Sequence, residues 1–198
     1  MAMPGLFAAG LPPGARIGQL FTSPVRRCLQ TTVPLARSLG LQPTVWPDFF
    51  EVGGMYDQAA DDSGGQLGGL TQAEIEREFG GYDASLVGAG IAGGWWRGGR
   101  ESEEDAERRI RGIVQRFRSM AAEPAPGPAA GARVIAAVGH GDLILLIMQE
   151  VTGAGKDVSF GSFNTSITCL DFRSDGVVQV RYSNYGAPEV FHTQDVTT

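Results

Sequence analysis

Twice along this chain of 198 residues a short apolar run ends in a loop of small residues, and the loop opens directly into a helical repeat. The first run is Ile17 to Thr22, followed by Ser23-Pro24. Beyond it the apolar positions fall at Val25, Cys28, Leu29, Thr32, Val33, Leu35, Ala36 and Leu39, and Gly40 is the stop signal. The second run, Arg133 to Val138, reads as a strand covered on both faces. It leads through Gly139-His140-Gly141 into a nearly all-apolar helix, Leu143 to Val151, for which Asp142 is the expected cap. Strands that feed helices in this way pair parallel, with the helices laid on the sheet.

The other elements fit the same plan. Thr44 to Trp46 suits a short strand. Thr71 followed by Glu74 is a capping-box pattern for a helix over Thr71 to Phe79. Glu101 to Met120 reads as the longest helix, with Ala106, Ile110, Ile113, Val114 and Phe117 in one stripe and Glu103, Glu104, Arg108, Arg111 and Arg118 facing water. Ser166 to Phe172 and Val177 to Tyr182 alternate, joined by the hairpin signal Arg173-Ser174-Asp175-Gly176. The 29 glycines and 11 prolines cluster in loops at 53–69, 80–99 and 123–131, and 59–69 is expected to be irregular. The predicted fold class is α/β, a three-layer α/β/α sandwich with a mostly parallel sheet and a C-terminal antiparallel hairpin. An irregular segment over 1–16 precedes one domain over 17–190, and 191–198 is a flexible tail.

A net charge of −6 argues against nucleic acid as a partner, so an anionic ligand must be held by a few local arginines. Cys28 and Cys169 lie in apolar surroundings and read as reduced core thiols. The longest aliphatic run, Leu143 to Met148, is too short to span a bilayer, and Met1 to Leu11 lacks the basic start of a signal peptide. The expectation is a cytoplasmic protein with no membrane partner.

Three places carry chemistry. Ser23-Pro24-Val25-Arg26-Arg27 opens a helix, with Ser23 as N-cap and Pro24 in the first helical position. Its amides and an arginine fork suit phosphate or carboxylate, though a well-capped helix with two surface arginines has the same pattern. Gly139-His140-Gly141 follows a strand at the end where α/β sheets gather ligands. His140 there suits phosphate contact or proton transfer, or a hydrogen bond to backbone. Glu51, behind Phe49 and Phe50, is either a carboxyl of raised pKa able to act as a general acid or a solvated side chain. A faint similarity of Gly139-His140-Gly141-Asp142 to the nucleophile elbow of α/β-hydrolases fails, because Gly141 stands where the serine would be.

In order and spacing these pieces resemble the histidine phosphatase superfamily, the phosphoglycerate-mutase-like fold. The matching stretches are Ser23 to Thr31, Glu51, Gly139-His140-Gly141, and Asn164-Thr165-Ser166-Ile167-Thr168. The resemblance implies phosphomonoester hydrolysis or phosphoryl transfer without a metal or other cofactor, on a phosphorylated small molecule. It makes Arg27 the phosphate clamp, His140 the histidine that stabilises phosphoryl charge, and Glu51 the proton donor to the leaving oxygen. Ser23, Gly141 and Asn164 join Arg27 in substrate binding, with Asn164 in a supporting place. Mutase and phosphatase are both compatible with the resemblance.

The sequence departs from the family at one point. An N-terminal Arg-His-Gly on the first strand, carrying the nucleophilic histidine, has no counterpart, and the two histidines are His140 and His192. The expectation is an incomplete chain whose catalysis is impaired. The alternative is a catalytically inactive domain of the same fold that binds phosphate ligands or protein.

Overall fold

Parallel pairing of two distant segments organises the molecule. The computed structural model describes residues 15–57, 65–66, 69–88, 94–96, 99–123 and 133–186. Strand β1 (Ile17–Thr22) lies between β2 (Thr44–Val45) and β5 (Val134–Val138), parallel to both. Tyr56–Asp57 (β3) and Gly65–Gln66 (β4) make a minimal antiparallel pair within 53–69, a stretch expected to be loop. Strands β6 (Ile167–Phe172) and β7 (Val178–Tyr185) form the expected hairpin, and Gly176 adopts a positive φ of 86° in its turn.

Alternation along β1 creates the layers. Leu20 faces helix α1 (Arg26–Leu39) and packs with Leu35, Ala36 and Ala136. Phe21 points to the opposite face. There it joins Trp46, Phe49 and the apolar sides of α3 (Glu103–Ala122) and α4 (Gly141–Thr152). A further core under α1 is filled by Ile75 from α2 (Gln72–Glu78) with Leu29, Val45 and Tyr82. The predicted three-layer α/β/α arrangement with a parallel sheet and a C-terminal hairpin is therefore the fold of this chain.

Local rules placed most boundaries. Thr71 and Glu74 form the reciprocal capping box at the start of α2. Ser102 caps α3, leaving Glu101 just outside a helix that had been expected to include it. Gly40 takes the left-handed conformation that ends α1. Three expectations need correction. Ser23 is not the N-cap of α1, which is Val25, so Pro24 stands before the helix. His140, not Asp142, occupies the N-cap position of α4. Strand β5 is covered only in part: it is an edge among the described residues, and Ala137 is exposed. The segments expected over 1–14, 124–131 and 191–198, and His192, lie outside the described residues.

Among the described residues no helix is long and apolar enough to cross a membrane. Ile113, 1% exposed, belongs to the core between the sheet and the two helices α3 and α4. Ile113→Ala is expected to lower unfolding free energy by about 2–5 kcal/mol in urea denaturation.

Candidate active site

The register of β1 on β5 pairs Thr22 with Val138, so the two strands end side by side at their carboxyl termini. The Ser23 N–H donates to the Val138 carbonyl at 2.9 Å, which carries the pairing one residue past β1. Residues 117 apart in sequence then meet: Ser23 Oγ lies 2.8 Å from His140 Nε2. Arg27, on the first turn of α1, brings Nη2 to 2.8 Å from Nδ1 of the same ring. A guanidinium can only donate, so Nδ1 accepts, and the ring proton of the neutral imidazole sits on Nε2 and is given to Ser23. Ser23 Oγ also accepts from the Val25 N–H at 3.2 Å, which fixes the hydroxyl.

His140 is 5% exposed. Burial first, then the charges of Arg27 and Arg109, push its pKa down to about 4. Cys28 lies beneath the ring, Sγ 3.5 Å from Nε2 and 3.4 Å from the Gly139 carbonyl. Burial pushes its pKa up to about 11, which leaves an unreactive thiol. The polar floor continues through Thr32, whose hydroxyl lies 2.9 Å from Thr22 Oγ1 and 2.8 Å from the Cys28 carbonyl.

Glu51 arrives from the loop after the 3₁₀ turn Pro47–Phe49. Its Oε2 is 3.9 Å from His140 Nδ1. Its Oε1 accepts from the Val52 N–H at 3.0 Å and from the Leu143 N–H at 3.2 Å. The second bond supplies the first turn of α4 with the acceptor that its own N-cap side chain does not provide. Burial raises the Glu51 pKa, opposed by those two amides and by Arg27. Gly139 is confined here, because a Cβ at that position would stand 2.8 Å from the Phe49 ring.

The structure thus brings together Ser23, Arg27, Glu51 and His140, with Gly141 as the first residue of α4. Asn164, in the turn before β6, is exposed and takes no part in this hydrogen-bonded group. Arg26 turns away from it to pair with Glu78 of α2. Two residues of the surroundings escaped sequence reasoning. Cys28 read only as a core thiol, and Arg109 lies on α3 between the apolar positions Ala106, Ile110 and Ile113, a placement that marks a buried arginine. Among the described residues no group of His, Cys, Asp and Glu is arranged to hold a metal ion.

The depressed pKa of His140 has a consequence for stability. Its folded value lies below the ~6.5 of an unfolded histidine, so between the two the unfolded chain binds more protons. The stabilisation is complete above about pH 6.5 and is lost as pH falls toward 4, amounting to about 3 kcal/mol. Glu51, with a raised value, acts in the opposite sense at the acid end of that window. Urea denaturation of the wild type and His140→Asn at each pH separates the two. The difference between them is expected to shrink on acidification, and a constant difference would contradict a neutral buried ring.

The fold and this group of residues can be set beside known proteins. Two solved structures of a mycobacterial glucosyl-3-phosphoglycerate phosphatase superpose on the chain. The native form has 24% identity and a TM-score of 0.54, covering 93% of this chain and 83% of that one. The complex with inorganic phosphate has 25% identity and a TM-score of 0.51, covering 85% and 77%. A structure described as mycobacterial hydrolase 1 is 25% identical with a TM-score of 0.51, covering 86% of this chain and 77% of that one. No curated protein matches the sequence. The model of the histidine phosphatase superfamily (branch 1) matches residues 7–185, and the chain belongs to that superfamily.

Proposed function

We propose that this chain binds the phosphoryl group of a small phosphomonoester between Arg27 and His140, and that its hydrolysis or transfer of that group is impaired for want of a nucleophilic histidine. The observation that carries the reading is the convergence of Arg27, Ser23 and Glu51 on one buried imidazole at the carboxyl ends of β1 and β5. The phosphate bound in the structure of the mycobacterial phosphatase supports the ligand class.

Each group has a part that follows from its chemistry. A phosphate dianion competes with Nδ1 for the Arg27 guanidinium, whose fork suits two of its oxygens. Once Arg27 is neutralised by the anion, the ring can take a second proton and donate from either nitrogen. The Gly141 and Asp142 N–H groups, in the first turn of α4, have no intrahelical acceptor and add to the attraction for an anion. Glu51, kept protonated to higher pH by burial, is the donor to the leaving oxygen. His140 has both ring nitrogens engaged and little exposure, which suits a charge-stabilising group and not a nucleophile. Loss of a covalent nucleophile lowers rates by orders of magnitude.

The test is a calorimetric titration with inorganic phosphate and vanadate beside turnover of p-nitrophenyl phosphate. Phosphate is expected to bind, and Arg27→Ala to weaken it by about 10- to 100-fold. In the phosphate-saturated protein His140 is expected to protonate at higher pH, read from its ring NMR signals. Turnover is expected to be slow, with no acid-labile phosphate on the protein by mass spectrometry. Rapid turnover, or phosphohistidine at residue 140, would overturn the impaired-nucleophile reading. Absence of phosphate binding would overturn the ligand assignment.

A further inference from the structure

The loop that carries Glu51 is held by an ion pair from the opposite layer. The Arg109 and Glu101 side chains are 8% and 5% exposed. Arg109 Nε donates to Glu101 Oε1 at 2.8 Å and Nη2 donates to Oε2 at 2.7 Å, a two-point fork. The remaining nitrogen, Nη1, donates to the carbonyls of Asp48 at 2.8 Å and Phe50 at 3.1 Å. The guanidinium carbon stands 3.7 Å from the centre of the Phe50 ring. Glu101 grips the other side of Glu51: its Oε2 accepts from the Gly53 N–H at 3.3 Å, and its own N–H donates to the Gly53 carbonyl at 2.9 Å.

A buried ion pair is weak evidence of stability, since well-packed apolar side chains often serve as well. It is also not needed to cap α3, because Ser102 already accepts from the Asp105 N–H. What sets this pair apart is the direction of its spare bonds. They go to the main chain at residues 48, 50 and 53, on both sides of the glutamate. We propose that Arg109 and Glu101 are positioning residues, which hold the 48–53 loop so that the Glu51 carboxyl stays on the Leu143 N–H and beside His140. Their bearing on phosphoryl chemistry rests on the reading of Glu51 as proton donor given above.

The test uses two variants of the full chain. Arg109→Lys keeps the charge and loses the fork, and Glu101→Leu/Arg109→Met replaces the buried pair with apolar groups, so that the fold survives in at least one of them. Three measurements are made on variants with wild-type near-ultraviolet circular dichroism: hydrogen exchange at the Leu143 amide, titration of the Glu51 carboxyl by carbon-13 NMR, and the dissociation constant for inorganic phosphate. The expected result is faster Leu143 exchange by about tenfold or more, Glu51 titrating nearer the ordinary carboxylate range, and weaker phosphate binding. Unchanged Leu143 exchange and an unchanged Glu51 titration in a folded variant would overturn the proposal. If wild type and variants alike fail to bind phosphate while Leu143 and Glu51 respond, positioning by the pair is upheld and the phosphate reading alone is lost.

Discussion

The hydrogen bond from the Ser23 N–H to the Val138 carbonyl ties the molecule together. It extends the β1–β5 ladder beyond Thr22, and α1 begins only after its N-cap, Val25. The hydroxyl that a local rule would have used as a helix cap accepts the Val25 N–H and also reaches across the strand ends to His140. A shift of one residue in the pairing would send Leu20 and Phe21 to the wrong faces and exchange the contents of two cores. Core packing and site geometry thus depend on the same register. The sheet cannot slip without destroying both.

Around the imidazole, polar groups are matched one to one. Arg27 saturates Nδ1 and Ser23 takes the proton of Nε2, while Cys28, held as a thiol, fills the space below without offering charge. Thr22, Ser23 and Thr32 are fully buried yet each has a partner, so the polar floor carries little of the usual cost of burying hydroxyls. Arg27 is exposed, with the neutral imidazole and the Cys28 thiol behind it.

Much of this was readable before any coordinates. Periodicity marked α1, α3 and the hairpin, and the Thr71–Glu74 spacing marked the start of α2. Arg27, Glu51 and His140 stood out because each sits next to a strand or helix end. What escaped reading was tertiary. Ser23 looked like a cap because capping is judged over three or four residues, whereas its partner lies 117 positions away. The apolar run at β5 implied cover on both faces, but an edge position leaves Ala137 open to water. Glu101 and Arg109 resembled other charges on a solvated helix, and only the helical angle of Arg109, in line with Ala106 and Ile113, hinted at burial. Asn164 followed the family pattern in sequence and still lies apart from the hydrogen-bonded group.

The carboxylate of Glu51 closes the open end of α4 while it borders the imidazole. One side chain therefore serves two clients. Any guest that recruits this oxygen withdraws support from the first turn of the helix, and fraying of that turn in turn frees the oxygen for the guest. Engagement of this oxygen and integrity of the helix start become linked variables, so a change at one would be written into the backbone dynamics of residues 141–143.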